Sequence, residues 1–501
     1  MLSGAGVALA LPPYDVMALA PLGVTVLTLL CRGRSPRQGA ALGLAHGIGV
    51  FVPVFSWLTV IGPDAWIALA LLEAAFVAAL GAVTPVVSRL GGWPVWVAAL
   101  WVLQESARDR IPFGGLPWAR LAFAETSSPL TPYAAIGGAP LVTFVTALTG
   151  TLVAAATLRL APTRRATGRS RAAGRRVGAG LLVAAAAVPG FGLVLPVGAP
   201  SAERSVTVAL VQGNVPMVGL HIESEPEQVL RNHVAATHRL AAAVRAGRRS
   251  APDLVIWPEN AADIDPLHTS SARALVTEAV RDVGVPVLVG ALVDGPGPHH
   301  VRNSGIVWDP VTGPGERYVK RHPVPFGEYI PFRAQLTKVI SRLSEIPRDF
   351  AAGTRPGNLT VGPARVGDVI CFEVAYDALV RDVVRGGAQV LVVQTNNATY
   401  NGTGQPAQQM AMSRLRAVES GRSVLVTATS GISAVVRADG SVAQRAPERV
   451  ARTLVARVPL RTGQTVATRV GSWPEVAMSL LALAAIAVGI GAGRRPSGAS
   501  R

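Results

Sequence analysis

Long apolar runs dominate the first third of the chain, and one more run lies near its end. They fall at about 16–31, 39–61, 65–88, 91–105, 140–158, 178–197 and 473–493. About 20 consecutive apolar residues are enough for a helix to cross a bilayer, so the pattern predicts membrane-spanning helices. The fifth of these stretches, 140–158, is short and could lie at the interface, and Met1–Leu11 is too short to span. No cleavable signal peptide is predicted, because apolar segments simply continue.

The segment 200–472 has a different pattern, in which short apolar runs alternate with amphipathic ones. The runs at 205–212, 254–257, 285–290, 366–371, 390–393, 423–428 and 433–437 are rich in β-branched residues and predict strands. Helical patterns lie between several of them, at 225–246 and 271–283. Strands that alternate with helices, followed by paired strands, predict an α/β sandwich domain.

Basic residues cluster beside the apolar runs and predict the orientation of the chain. The loop 32–37 is basic, and seven arginines without an acid lie at 159, 164, 165, 169, 171, 175 and 176. Cytoplasmic loops carry an excess of Lys and Arg, so both stretches are expected inside, with 200–472 outside and a basic tail at 494–501 inside. The net charge of +17 is thus explained without nucleic acid. A buried all-helical core is the alternative interpretation of the apolar runs.

The chain has two cysteines, Cys31 in an apolar run and Cys371 at the end of a predicted buried strand. A single thiol in its domain argues against a disulfide framework and a cysteine metal cluster, and no other ligand spacing indicates a metal or cofactor. Cys371 is therefore either an inert buried thiol or a nucleophile.

Glu259 and Lys320 lie just after predicted strands or in nearby loops, as Cys371 does. Lys320 is one of only two lysines among 47 basic residues, the other being Lys338. Each residue has an ordinary interpretation: a turn carboxylate, a solvated charge and a core thiol. Together they could act, because a thiol of pKa near ~8.5 needs a base or a nearby cation to react. Glu259 could take the proton, and Lys320 could lower the thiol pKa and hold an oxyanion.

The segment 200–472 resembles the nitrilase superfamily, whose members use Glu, Lys and Cys in this order on an α-β-β-α sandwich. Nearly the whole chain resembles the apolipoprotein N-acyltransferases, membrane-embedded members of that superfamily. The matching motifs are Pro13-Tyr14-Asp15, Gly115-Leu116-Pro117-Trp118, Val211-Gln212-Gly213-Asn214, Trp257-Pro258-Glu259, Val324-Pro325-Phe326-Gly327-Glu328, Cys371-Phe372-Glu373, Thr395-Asn396-Asn397, Arg414-Leu415-Arg416-Ala417-Val418-Glu419 and Gly471-Ser472-Trp473-Pro474.

The resemblance implies a nitrilase-like α-β-β-α domain at 200–472, between a transmembrane domain at 1–198 and a last span at 473–493. It implies that an acyl chain passes from a phospholipid to Cys371 and then to the α-amine of a diacylglyceryl-modified apolipoprotein. Glu259 is then the general base, Lys320 stabilises the oxyanion, and Glu328 and Glu373 support the site. No cofactor is implied, a monomer is expected, and the enzyme belongs in the bacterial cell membrane as a multi-pass protein.

Two departures from the family pattern lie in loops, His221 and Thr399, where aromatic residues are common in the family. His322 beside Lys320 is a possible supporting residue, although a loop position is its ordinary interpretation. Two other functions stay open at this point. One is a membrane-anchored amidase that hydrolyses a small extracytoplasmic amide. The other is a transporter or scaffold, which charges inside the spans, such as Glu73 and Glu105, would favour.

Overall fold

The computed structural model describes residues 1–161, 168–197, 204–215, 227–338, 340, 343–344 and 347–494. His221 lies outside these residues, as does the predicted basic tail beyond Arg494. The chain forms two compact units, Met1–Pro196 with Arg469–Arg501, and Val197–Thr468.

The first unit is helical. Its helices are α1 (Leu2–Ala10), α2 (Leu19–Cys31), α3 (Pro36–Val54), α4 (Pro63–Val87), α5 (Trp93–Arg108), α6 (Ala134–Leu160) and α7 (Gly168–Gly192), with a last helix, α14, at Trp473–Arg494. Ser35 begins α3 with a capping box, in which its side chain accepts from the Gln38 amide and the Gln38 side chain accepts from Ser35 N. α3 packs very closely on α4, since a methyl group at Gly43 would lie 2.2 Å from the Val77 carbonyl oxygen. Small residues permit such close helix packing in membranes.

Three helical segments of the described chain are long and apolar enough to cross a membrane, namely Pro63–Val87, Thr131–Leu160 and Trp473–Ala492. Leu19–Cys31 is a shorter apolar helix. The other predicted spans, 39–61, 91–105 and 178–197, fall on α3, α5 and α7, and their crossing of the membrane stays a prediction.

The arginine-rich stretch 159–176 was expected to be a loop, and this is wrong for its second half. α7 begins at Gly168, so that Arg169, Arg171, Arg175 and Arg176 belong to its first turns. Arginine and alanine are good helix formers, and the helix therefore begins before the apolar run does.

The charges within the predicted spans are paired. Glu73 on α4 accepts from Nη1 of Arg108 on α5 at 3.0 Å, and both side chains are 1% exposed. The same guanidinium donates to the carbonyl of Trp118 at 2.6 Å, within the Gly-Leu-Pro-Trp motif. Glu105 accepts from the Thr143 hydroxyl at 2.7 Å and lies 3.4 Å from Nε of Arg120. Buried charges that are paired and hydrogen-bonded in this way have a structural explanation and give no support to a transport pathway.

The second unit contains two facing sheets. Its strands are β1 (Arg204–Gln212), β2 (Leu254–Ile256), β3 (Val287–Asp294), β4 (His300–Asp309), β5 (Gly313–Val319), β6 (Asp349–Phe350), β7 (Asn358–Val361), β8 (Ala364–Ile370), β9 (Val390–Thr395), β10 (Val424–Ala428), β11 (Ala434–Val436), β12 (Val442–Arg445) and β13 (Arg452–Leu460). The first sheet has the order β13-β1-β2-β3-β4-β5, with β6 on β4, and the second has the order β12-β11-β10-β9-β8-β7.

Helices cover both sheets, and apolar side chains fill the space between the sheets. The helices are α8 (Gln228–Arg245), α9 (Ser270–Val283), α10 (Arg333–Leu336), α11 (Asp377–Arg385), α12 (Gln405–Ser420) and α13 (Val466–Val470). Leu230 and Val280 from α8 and α9 pack on the first sheet, and α11 and α12 lie against the second. Leu210 of one sheet and Val392 of the other share the inter-sheet core. The predicted α-β-β-α sandwich is confirmed.

The parallel pairing of the inner strands determines where Glu259 and Cys371 lie. β1, β2 and β3 are parallel in one sheet, and β8, β9 and β10 are parallel in the other. Side chains that follow the carboxyl ends of neighbouring parallel strands lie at one edge of a sheet. Glu259 follows β2 and Cys371 follows β8.

Candidate active site

Cys371 lies at a sharp turn where β8 ends and a short 3-10 helix, Cys371–Ala375, begins. Its φ is +55°, in the left-handed region that residues other than glycine rarely adopt. Such strain is maintained by the surrounding structure and is common at functional sites. The thiol is partly exposed and accepts a hydrogen bond from the Thr395 hydroxyl at 3.3 Å. The strand predicted at 366–371 therefore ends at Ile370, and Cys371 lies in the turn that follows it.

Two charged side chains hold this turn in place. Glu373 is fully buried and accepts from the amides of Ile370 and Arg321, at 2.8 and 2.7 Å, and from the Tyr318 hydroxyl. Arg416 on α12 donates to the carbonyls of Val374 and Ala375, at 2.8 and 2.7 Å. Glu373 thus joins the cysteine turn to the segment that carries Lys320, and its predicted place beside the pocket has a physical basis.

Lys320 lies between two carboxylates directly after β5. Its Nζ donates to Oε1 of Glu259 at 3.0 Å and to Oε1 of Glu328 at 2.7 Å. Glu259 is 3% exposed and also accepts from the Asn303 amide at 2.6 Å and from the backbone N–H of Asn396 at 2.7 Å. The other oxygen of Glu328 accepts from Val324 N at 2.7 Å. Every one of these acceptor contacts fixes the orientation of a carboxylate toward the lysine.

The electrostatics of the site favour an ammonium beside a neutral thiol. Lys320 loses solvation through burial, yet Glu259, Glu328 and Cys371 together raise its pKa well above its ordinary value. Burial and then Glu259 raise the pKa of Cys371 to about 12, although Lys320 acts in the opposite direction. Lys320 thus lowers the thiol pKa as expected, but burial and the charge of Glu259 outweigh the lysine, and the net pKa of Cys371 is raised. A thiol that is protonated at neutral pH needs a base at the moment of attack.

The structure brings Glu259, Lys320 and Glu328 into direct contact, and places Cys371 where the charges of all three act on it. Glu373 contributes through the backbone, since it accepts from the amides of Arg321 and Ile370. The arrangement can take up a proton at Glu259, hold negative charge at Lys320 and expose a sulfur nucleophile.

Sequence reasoning missed Asn303, and it assigned no role to Asn396 or Tyr318. Asn303 lies on β4, which was not predicted, and donates to both Glu259 and Glu328, at 2.6 and 3.5 Å. The amide of Asn396 could have been suspected from its place after β9, where the carboxyl ends of strands meet. His322 packs against Tyr376, with ring centroids 4.0 Å apart and the rings tilted by 42°. Burial, with Lys320 and Arg321, lowers the pKa of His322 to about 4, so it is neutral at physiological pH.

One group of side chains in the described chain could hold a metal, and it is distinct from these residues. Ligand atoms of Asp265, His268 and Asp294 lie within 4.8 Å of one another. Asp265 bonds His268 Nδ1 at 2.7 Å, and Asp294 pairs with Arg348 at 3.0 Å, so the charges are already balanced within the protein. The expectation that the reaction needs no metal or cofactor stays a prediction.

Family models match both units of the chain. Residues 3–152 match a model described as the apolipoprotein N-acyltransferase N-terminal domain, and residues 207–468 match the carbon-nitrogen hydrolase model. The second match contains Glu259, Lys320, Glu328, Cys371 and Glu373.

Curated relatives match along nearly the whole chain. The apolipoprotein N-acyltransferase of Mycolicibacterium smegmatis is 38% identical over 499 residues, covering 97% of this chain and 83% of that protein. The protein of the same name from Chromobacterium violaceum is 30% identical and covers 96% of this chain and 92% of that protein. Among solved structures, a nitrilase-superfamily amidase from Nesterenkonia is 17% identical, with a TM-score of 0.38, covering 56% of this chain and 99% of that one.

Proposed function

Because the chain belongs to the apolipoprotein N-acyltransferase family, we propose that it transfers an acyl chain from a phospholipid to the N-terminus of lipoproteins through a thioester on Cys371. The observation that carries this proposal is the 38% identity to a protein of that name over 97% of the chain. The site supports it, because a thiol, a carboxylate and a buried ammonium are the groups that acyl transfer requires.

In the first half-reaction, Glu259 takes the Sγ proton of Cys371 while the sulfur attacks the ester carbonyl carbon of the phospholipid. The carbonyl oxygen becomes an oxyanion, which the ammonium of Lys320 stabilises. When the C–O bond breaks, the proton held by Glu259 passes to the departing glycerol oxygen. A lysophospholipid leaves, and the acyl group stays on Cys371 as a thioester.

In the second half-reaction, the neutral α-amine of an S-diacylglyceryl-cysteine attacks the thioester carbonyl. Glu259 takes a proton from the amine nitrogen, the C–S bond breaks, and the proton returns to the sulfur. The products are an amide-linked acyl chain on the lipoprotein and a free Cys371 thiol.

Glu328 and Glu373 act as positioning residues in this scheme. Glu328 bonds Lys320 Nζ at 2.7 Å and would hold the ammonium near the carbonyl oxygen. Glu373 bonds the amides on both sides of the site and would hold the cysteine turn against the lysine segment.

The protein is a membrane protein, and its substrates are lipids and lipid-modified proteins. As a proposal, it is a multi-pass protein of the bacterial cell membrane, with residues 1–198 and 473–493 in the membrane and 200–472 as the catalytic domain outside. The arginines that flank α2, α6 and α14 support this orientation by the positive-inside rule. An external site would meet the leaflet where lipoprotein N-termini are found. We propose that it works as a monomer.

Intact-mass analysis of the detergent-purified full chain tests the thioester. Incubation with phospholipid should add one acyl group that hydroxylamine removes, and a diacylated lipopeptide should discharge it onto its own amine. Cys371→Ala should carry no adduct. Cys31→Ala is the matched control, since Cys31 is the other thiol and lies buried in α2. It should be acylated as the wild type is.

Absence of an adduct from the folded wild type with several lipid classes would contradict the proposal. Hydrolysis of small amides by the same protein would then favour a membrane-anchored amidase. An adduct that persists in Cys371→Ala would show that another residue carries the acyl group.

A further inference from the structure

A buried carboxyl group, Asp368, lies beneath the candidate active site and has no role in the reaction described above. It is on β8, three residues before Cys371, and is fully buried. Neither of its side-chain oxygens has a hydrogen-bond donor among the described residues. A carboxylate buried without partners is so unfavourable that such a group takes up a proton instead.

A second buried oxygen in the same place also lacks a donor. Oε1 of Gln394, on the neighbouring strand β9, has no partner among the described residues. A methyl group built at Gly305 on β4 would lie 2.2 Å from Oδ2 of Asp368 and 2.7 Å from Oε1 of Gln394. Two acceptor oxygens therefore meet at one point between the sheets, and the missing side chain at Gly305 leaves room for them.

The hydrogen bond made by the side-chain nitrogen of Gln394 determines the orientation of the whole amide group. Nε2 lies 2.6 Å from the carbonyl oxygen of Trp257, and only a donor can occupy that position. The amide oxygen must consequently face away from Trp257, toward Asp368. Two acceptor oxygens that converge on one buried point repel each other unless one of them carries a proton.

We propose that Asp368 is a neutral carboxylic acid that donates its proton to Oε1 of Gln394, and that this buried link positions Glu259 relative to Cys371. The link runs from β8 through Gln394 on β9 to Trp257, two residues before Glu259 in the opposite sheet. Burial, together with the acidic neighbours Glu373 and Glu259, raises the pKa of Asp368 well above its ordinary value, which agrees with a neutral group. The effect of this link on catalysis rests on the proposed acyl transfer, whereas the protonation of Asp368 does not depend on it.

Two variants of the full chain test the link. Asp368→Asn keeps a neutral donor of the same shape, so Cys371 acylation should stay within about twofold of the wild-type rate. Asp368→Leu leaves Oε1 of Gln394 without a donor, and acylation should slow about tenfold at unchanged KM for the phospholipid, because Glu259 is displaced. A large loss in Asp368→Asn, equal to that of Asp368→Leu, would overturn the proposal.

Infrared spectroscopy tests the proton directly and independently of acyl transfer. The wild type at pH 8 should show a carbonyl stretch of a protonated carboxyl group that Asp368→Asn lacks. Identical protonated-carboxyl absorption in the two proteins would show that Asp368 is ionised and would overturn the proposal. Failure of acyl transfer in the wild type would instead contradict the proposed function. The infrared measurement would still decide whether Asp368 is protonated.

Discussion

The chain buries charged clusters in both of its units, and the cluster at the candidate active site differs from the others in its cation. In the helical unit, Arg108 pairs with Glu73, and Arg120 pairs with Glu105 and Asp109. In the sandwich unit, Arg416 pairs with Asp377 and Glu419, whereas Lys320 lies between Glu259 and Glu328. The cluster at the candidate active site is therefore distinguished by its lysine and its neighbouring thiol, and not by the number of its carboxylates.

This difference separates a structural cluster from a reactive one. A guanidinium is always charged and presents a flat fork, which suits it to carbonyls and carboxylates that never change their protonation. The carboxylates around Lys320 lie instead beside a neutral thiol, whose proton one of them could accept. Only two of the 47 basic residues are lysines, and the chain places one of them, Lys320, at the candidate active site.

Neutralising Glu259 should have the largest effect. In Glu259→Gln the proton acceptor is lost, and acyl-Cys371 formation should slow about 10³-fold, since general bases contribute 10²–10⁴-fold. Time-resolved intact-mass analysis measures this rate, with the circular dichroism spectrum as the control for folding. A folded variant that is acylated within about tenfold of the wild-type rate would exclude Glu259 as the base.

Replacing Lys320 with arginine tests whether the candidate active site requires a lysine or only a positive charge. Lys320→Arg keeps the charge, but the larger planar group cannot occupy a fully buried position shaped for an ammonium. We expect acylation to slow about 10²-fold, as for loss of an oxyanion donor. Lys338→Arg is the matched control, since Lys338 is exposed and should retain the wild-type rate. Equal rates for the two variants would show that the site needs only a positive charge at position 320.

The pH dependence of thiol alkylation measures how strongly the cluster holds the proton on sulfur. The pKa of Cys371 is raised to about 12, so the reactive thiolate is the minor species at every pH below that value. The rate of reaction with iodoacetamide should rise roughly tenfold per pH unit from pH 7 to 10 without levelling off. A plateau near the ordinary thiol pKa would show that Lys320 outweighs burial and Glu259.

Replacing an arginine with lysine in the helical unit should leave acyl transfer unchanged. Arg108→Lys loses donors that Glu73 and the Trp118 carbonyl share, which should cost about 2 kcal/mol of stability, since breaking buried ionic networks is expensive. Thermal unfolding in detergent measures this loss, and acylation per folded molecule should stay at the wild-type rate. Arg110→Lys is the control, because the Arg110 side chain is 56% exposed and its pairing with Glu475 should contribute little. A loss of activity without a loss of stability would contradict the structural role.

The sandwich and the three candidate residues Glu259, Lys320 and Cys371 were predictable because their signals are local. Each parallel inner strand is a run of β-branched apolar residues, and Glu259 and Cys371 directly follow such runs. β4 and β5 were missed, since they form a hairpin whose outer strand is largely exposed and polar, at Gly313–Val319. With them the sequence analysis missed Asn303, the side chain that orients two carboxylates.

The electrostatic balance could not be predicted from the sequence. Spacing along the chain suggests that Lys320 is near Cys371, but it does not give the burial that raises the thiol pKa. Asp368 illustrates the same limit. Its position three residues before Cys371 shows only that it lies on the predicted strand. The proposal that its side chain is protonated depends on the position of the Gln394 amide oxygen, which the sequence does not give. The number of true membrane crossings likewise depends on more than hydropathy, as α3, α5 and α7 show.

The hydrogen bonds of Glu373 have a consequence for how this protein matures. They link Tyr318 near the end of β5, and Arg321 just after it, to Ile370, about fifty residues later in the other sheet. The thiol therefore gains its lysine and its base only when both sheets are complete and facing each other. In a chain whose two sheets have not yet paired, Cys371 lacks its neighbouring lysine, and acylation of Cys371 would report that the sandwich is complete.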